Sequence, residues 1–310
     1  MTQPGGPPAA LRATQLGFRY RTRGGWALRD CEFTVPRGRI TALVGRNGAG
    51  KSTLLHLAGG LLHARTGELR VLDTVPGTPE ARARVALLAQ DKPLYSHFSV
   101  AETLCMGGKL NASWDQATAE RTIREGGVPL RARVGELSPG QRTRLALALA
   151  LGKRPELLLL DEPMADLDPV ARGETMTALM AEAAEHGTSI VLSSHVLPEL
   201  EQTCDWILVL RDGRVELSED ADTLREKHTL LTGHIDQADH LTAKHTAVHH
   251  RATGRQMTAL VRLRGPLHGD WHVGRPSLED ILIGYLQTND TAPSAQTARL
   301  SGAERTGAAA

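Results

Sequence analysis

Three short segments of the chain are apolar, or nearly so, at successive positions rather than at alternate ones: Ile40-Thr41-Ala42-Leu43-Val44, Leu157-Leu158-Leu159-Leu160 and Ser189-Ile190-Val191-Leu192. A strand apolar throughout is covered on both faces, the pattern of a parallel sheet enclosed by helices. Around these runs, residues 11 to about 72 are expected to form an antiparallel β layer, the first buried strand and the helix after it. Residues 73–90 read as a turn-rich link that ends in a strand over 84–89. From about 91 to 155 the pattern is mostly helical, with Ser99 capping Val100-Ala101-Glu102-Thr103-Leu104 and an Ala/Leu-rich helix from Arg142 to about Gly152. A helix over residues 169–186, a strand running into Ser193-Ser194-His195 and a hairpin turning at Asp212-Gly213 complete the expected core.

The chemistry sits where these strands end. After Val44 the chain reads Gly45, Arg46, Asn47, Gly48, Ala49, Gly50, Lys51, Ser52, Thr53, which fits the loop that wraps nucleotide phosphates between a buried strand and a helix. Glycines let the backbone approach anionic oxygens, and the helix that follows brings its positive end to the same place. Lys51 supplies a cation for the outer phosphates and Ser52 a hydroxyl for Mg²⁺. The second apolar run ends in Asp161 and Glu162, at the carboxyl end of its strand, where ligands of such sheets bind. Asp161 is placed to hold the Mg²⁺ shell, and Glu162 to accept a proton from an attacking water. Both carboxylates also suit helix N-capping, a purely structural use, but the phosphate loop upstream favours the chemical one.

Further motifs follow in order: Gln90, then Leu137-Ser138-Pro139-Gly140-Gln141 ahead of the Ala/Leu-rich helix, then Ala165-Asp166-Leu167-Asp168-Pro169, then His195. With the phosphate loop and the Asp161 strand, this set resembles the ATP-binding subunits of ABC transporters over roughly residues 10 to 217. The resemblance implies a P-loop NTPase core of α/β class, with an antiparallel β subdomain, a helical signature subdomain at about 91–155 and a small α+β C-terminal appendage at 218–287. Residues 1–10 and 288–310, small and polar or Pro/Gly-rich, are expected to be disordered. It also implies ATP and Mg²⁺ as ligands, a second cassette packed head to tail, and a separately encoded membrane permease of the export type. In that arrangement Ser138, Pro139, Gly140 and Gln141 face ATP held on the partner. Asp166 and Asp168 lie across the dimer axis. Glu162 polarises water, His195 senses the γ-phosphate, and Gln90 touches Mg²⁺ and carries the ATP state to the permease. Tyr20 matches the aromatic that stacks on adenine, ahead of Phe18 as a candidate; an ordinary strand-edge aromatic is the plain alternative.

One position departs from the family. Pro139 stands where glycine is usual, and proline lacks the N–H. Locally, Ser138 reads as an N-cap, Pro139 as the first helical residue and Gln141 as the third, a capping box. The helix tolerates the loss, because that N–H has no partner within the helix. A phosphate held there loses one donor. Two outcomes stay open: a homodimer with a weakened contact, or a degenerate site paired with a different cassette.

Composition sets bounds. The net charge of +1 in 310 residues gives no field for nucleic acid, and none is expected as a partner. The three cysteines, Cys31, Cys105 and Cys204, lack metal or redox spacing and suit a reducing cytosol. No stretch nears the ~20 apolar residues that cross a bilayer, and Met1 to Ala10 do not read as a signal peptide, so a peripheral place on the inner face of the cell membrane is expected. The competing class, a soluble cassette acting on nucleic acid or ribosomes, would show two cassettes or long heptad insertions, and neither is present. A phosphotransferase would lack the signature at 137–141. Beyond about Ser218, eight of the 13 histidines fall between His228 and His272. His245 and His249 have the i, i+4 spacing of a helical metal pair, but nothing nearby completes a site, and packed or solvated histidines are expected.

Overall fold

The computed structural model describes residues 8–21, 24–194, 197–201, 203–237, 241 and 244–287. They form two compact units: the chain up to Lys227 together with 277–282, and 228–276 with the residues from 283 on.

The first unit is built on a six-stranded sheet in the order Val85–Leu88, Leu157–Asp161, Ser189–Ser193, Ile40–Val44, Trp206–Arg211, Arg214–Asp220. The first five strands are parallel, and the last turns back antiparallel as an edge. The runs Ile40–Val44, Leu157–Asp161 and Ser189–Ser193 are buried at every residue, as their unbroken apolarity requires. The hairpin turns at Asp212 and Gly213, both at positive φ (49° and 75°), the conformation a two-residue turn of this kind needs. Beside this sheet lies a three-stranded antiparallel one, with Ala9–Phe18 between Leu28–Pro36 and Thr66–Val71. Leu11, Leu16, Leu43, Leu54, Leu55 and Leu208 share one core cluster that spans both sheets and the helix Lys51–Ala58. Each such leucine contributes about 1.5–3 kcal/mol through its removal from water.

A second cluster, around Leu104, Ile123, Leu145 and Ala148, holds the helices Val100–Leu110, Gln116–Glu125 and Pro139–Gly152 together. Two of these helices open with full capping boxes. Ser99 exchanges bonds with Glu102, and Ser138 with Gln141, so Pro139 stands at the first helical position, as the Ser-Pro-Gly-Gln order predicts.

Three local expectations are corrected. The link before Val85 contains a helix, Pro79–Arg84, which starts at a Thr78 cap with proline in its first turn, so Arg84 is helix and not strand. Ala9 and Ala10 belong to the first strand and are buried, because Ala9 pairs with Pro36, so the irregular N-terminus does not reach residue 10. His249 lies on the strand Thr246–Thr253, so His245 and His249 are not a helical pair.

The second unit carries a four-stranded antiparallel sheet in the order Thr246–Thr253, Gln256–Arg262, Thr229–His234, His272–Gly274. Its core is Leu231, Leu241, Met257, Ala259 and Val261. The helix Leu278–Gln287 starts after Ser277, whose Oγ accepts the Asp280 N–H at 3.0 Å. The expected tails at 1–7 and 288–310 lie outside the described residues.

Candidate nucleotide site

The phosphate loop leaves the centre of the parallel sheet. Gly45 is buried, and a Cβ there would stand 2.5 Å from the Leu210 carbonyl oxygen, so only glycine fits. Gly50, at φ 107°, turns the chain into the helix Lys51–Ala58. No side chain caps that helix, so its first N–H groups remain available to an anion. Arg46, Asn47 and Gly48 are exposed, Ala49 is buried, and Thr53 is buried in the first helical turn. The Lys51 side chain is 7% exposed. Its ammonium donates to the Gly45 carbonyl at 2.8 Å and lies 3.9 Å from Glu162 Oε1. It also reaches the Arg46 carbonyl at 3.5 Å, so two loop carbonyls and one carboxylate hold this buried cation at the phosphate loop.

A cleft of about 810 Å³ opens in front of the loop. Tyr20, Asn47, Gly48, Gly50, Lys51, Ser52, Thr53, Gln90 and Glu162 all line it. Gln90 is exposed, just past the strand Val85–Leu88. Tyr20 is half-buried and stands edge-on to Phe18 at 4.9 Å between ring centroids, and its hydroxyl is 3.2 Å from Thr53 Oγ1. Phe18 is itself buried in the core and does not line the cleft, whereas Tyr20 does. Trp26 lines the cleft too and was not singled out in the sequence, because aromatic type alone does not show which loop folds back over a site.

Asp161 is 1% exposed and its Oδ2 has no hydrogen-bond partner among the described residues. An unpaired buried carboxylate oxygen is costly and invites a cation. No group of three or more His, Cys, Asp or Glu forms a metal cage among the described residues. Mg²⁺ suits such a site, because it binds through one or two protein ligands and takes the rest of its shell from phosphates and water. Glu162 follows in the left-handed backbone region (φ 49°), and its N–H donates to Ser193 Oγ at 2.8 Å.

The signature residues stand elsewhere. Ser138 and Pro139 are exposed, Gly140 and Gln141 half-buried, and none of the four lines this cleft. A Cβ on Gly140 would come within 3.3 Å of the Asp166 carbonyl oxygen, so the signature helix starts against the turn that carries Asp166. Asp166 pairs with Lys92 at 2.7 Å. Asp168 caps the helix Pro169–His186, accepting from the Val170 and Ala171 N–H groups at 3.0 Å each, and these bonds hold its carboxyl below the usual range. Both capping bonds go to its Oδ1. His195 lies outside the described residues.

A glycine-rich loop between a central parallel strand and an uncapped helix, with a buried carboxylate two strands away, defines a P-loop nucleotide-binding protein. The family profile described as "ABC transporter" matches residues 28–165. The aliphatic sulfonates import ATP-binding protein SsuB 2 of Pseudomonas aeruginosa (strain UCBPP-PA14) is 37% identical over 214 residues, 68% of this chain and 75% of that protein. The molybdenum import ATP-binding protein ModC of Mycobacterium tuberculosis (strain ATCC 25618 / H37Rv) is 37% identical over 212 residues, 63% of this chain. That match spans only 58% of ModC's own length. A solved ATP-binding subunit of an ABC transporter superposes with a TM-score of 0.64 at 28% identity, covering 70% of this chain and 92% of that one. The chain belongs to the ATP-binding cassette family of ABC transporters.

Proposed function

We propose that this chain binds and hydrolyses ATP as the cassette subunit of a transporter, paired with a second cassette and acting on a separate membrane permease. The observation that carries this reading is the cleft itself: a buried Lys51 ammonium, unclaimed helix N–H groups and the Glu162 carboxylate converge on it. Residues 45–53 hold the phosphates and Tyr20 stacks on the base. Ser52, Gln90 and Asp161 hold Mg²⁺, which when bound neutralises phosphate charge. Glu162 takes the proton of the attacking water as its oxygen bonds to the γ-phosphorus and the bond to ADP breaks. His195 reports the γ-phosphate, and Asp166 helps to place the water.

The pairing rests on the signature. Ser138 to Gln141 form a capped helix start away from the chain's own cleft, which supports a phosphate contact made to another cassette. For the permease, the exposed Tyr95 with Phe98 beside it, rings 5.3 Å apart, offers an aromatic docking face on the helical subdomain. Among the described residues no helix is long and apolar enough to cross a membrane, which accords with a peripheral subunit on the inner face of the cell membrane. The accessory region expected at 218–287 acts as a support to the cassette, and its compact part starts at His228. Relatives whose names state a direction include import ATP-binding proteins for molybdenum, aliphatic sulfonates, sn-glycerol-3-phosphate and thiamine, which lends the export-type expectation no support. The nucleic-acid alternative gains nothing from a chain of net charge +1.

Lys51→Ala tests the reading directly. It removes the one buried cation lining the cleft among the described residues, and calorimetric titration is expected to show ATP affinity reduced at least about a hundredfold. Retained affinity would sink the phosphate-loop assignment.

A further inference from the structure

The strand Ser189–Ser193 lies between the phosphate-loop strand and the Asp161 strand, and its last residue is in register with Leu43 on one side and Asp161 on the other. Ser193 is fully buried. Its Oγ accepts the Glu162 N–H at 2.8 Å and donates to Asp161 Oδ1 at 2.7 Å. The order of donation is forced, because the amide can only donate, which leaves the single hydroxyl proton for the carboxylate. Two consequences follow. Asp161 is turned so that Oδ1 is engaged and the buried Oδ2 is the oxygen without a protein partner among the described residues. Glu162 is held at φ 49°, a conformation that non-glycine residues rarely adopt without an anchor.

We propose that Ser193 is a positioning residue of the ATP site: its hydroxyl selects the Asp161 oxygen presented to Mg²⁺ and locks the backbone from which Glu162 enters the cleft. This rests on the nucleotide reading above. Neither Lys51 nor the loop backbone bonds to Ser193 in any hydrogen bond of the described site, so the serine acts on the carboxylate side alone. An alanine at 193 leaves the Glu162 amide without its acceptor and frees Asp161 to turn. A threonine keeps the hydroxyl and suits a strand. A cysteine keeps the shape but is a weak donor and a weak acceptor.

The test uses the full chain, a fluorescent ATP analogue and titrated Mg²⁺. In Ser193→Ala the Mg²⁺ concentration for half-maximal binding enhancement is expected to rise about tenfold, as for loss of one bond to a charged group. Binding of the analogue in excess chelator stays at the wild-type level. Ser193→Thr restores the wild-type Mg²⁺ dependence, and Ser193→Cys follows alanine. Wild-type Mg²⁺ dependence in Ser193→Ala overturns the proposal, and so does an equal loss of binding with and without Mg²⁺, the mark of a merely structural residue. Where the alanine variant fails to fold, the cysteine and threonine variants decide it, and equal Mg²⁺ dependence in those two overturns it. A wild-type chain that binds no analogue overturns the nucleotide reading itself, and this proposal with it.

Discussion

Glu162 shows how several constraints meet on one residue. Its backbone is left-handed, its amide is anchored on Ser193, and its carboxylate lies 3.9 Å from the Lys51 ammonium. The proposed function makes this carboxylate the base for an attacking water, and glutamine keeps the shape and loses the basicity. Glu162→Gln is therefore expected to bind ATP with near wild-type affinity and to hydrolyse it about 10²–10⁴-fold more slowly, the range for loss of a general base. Single-turnover hydrolysis checks this, and near-normal turnover would remove Glu162 from that role. Lys92 is the other residue whose position gives it weight. Its ammonium, 8% exposed, pairs with Asp166 and donates to the Gln90 carbonyl at 3.3 Å, so the glutamine loop and the Asp166 turn are tied together inside one chain.

At the scale of elements, the caps explain both the fold and the limits of reading it. Ser99, Ser138 and Asp168 precede their helices in sequence, and each caps locally, so these boundaries were legible from spacing alone. The phosphate loop was legible for the same reason, being nine consecutive residues between a strand and a helix. The bonds of Ser193 to Asp161 and Glu162 join positions 32 and 31 residues apart, and depend on parallel register, which no local pattern encodes. The helix Pro79–Arg84 was hidden because its starting proline read as part of a turn-rich link. His245 and His249 look like a helical pair only until the strand Thr246–Thr253 separates them; in the structure His245 Nδ1 accepts the Arg264 N–H at 3.2 Å instead.

Asp115 gives this scale its pH dependence. It caps Gln116–Glu125 through the Thr118 N–H at 3.0 Å and pairs with Arg154 at 2.7 Å, and Arg154 reaches on to Glu182 at 3.3 Å. The backbone bond from Thr118 is the main cause holding its carboxyl down at about 2, against an ordinary 3.8. Because the folded value is the lower one, this contribution is fully present above about pH 4 and is lost as pH falls towards 2. The melting-temperature gap between wild type and Asp115→Ala is thus expected to be constant from pH 5 to 7 and to close between about pH 4 and 2. A gap that persists unchanged at low pH would show that the side chain acts by packing instead of by charge.

For the whole molecule, the cleft is lined by the phosphate loop, Gln90 and Glu162, while the signature helix starts at an exposed position outside it. On the proposed function, each half of the machinery takes its complement from a second cassette. Pro139 lacks the donor that glycine would offer at that helix start, but the Gly140 N–H and the Ser138 hydroxyl remain, and the proposal that two copies of this chain close on two nucleotides rests on those two donors. Light scattering of purified Glu162→Gln, with and without ATP and Mg²⁺, tests this most directly, because slow hydrolysis leaves the closed state time to accumulate. The account predicts a monomer without nucleotide and a dimer, at twice its mass, with ATP and Mg²⁺. A chain that binds ATP and stays monomeric would contradict the homodimeric composite site.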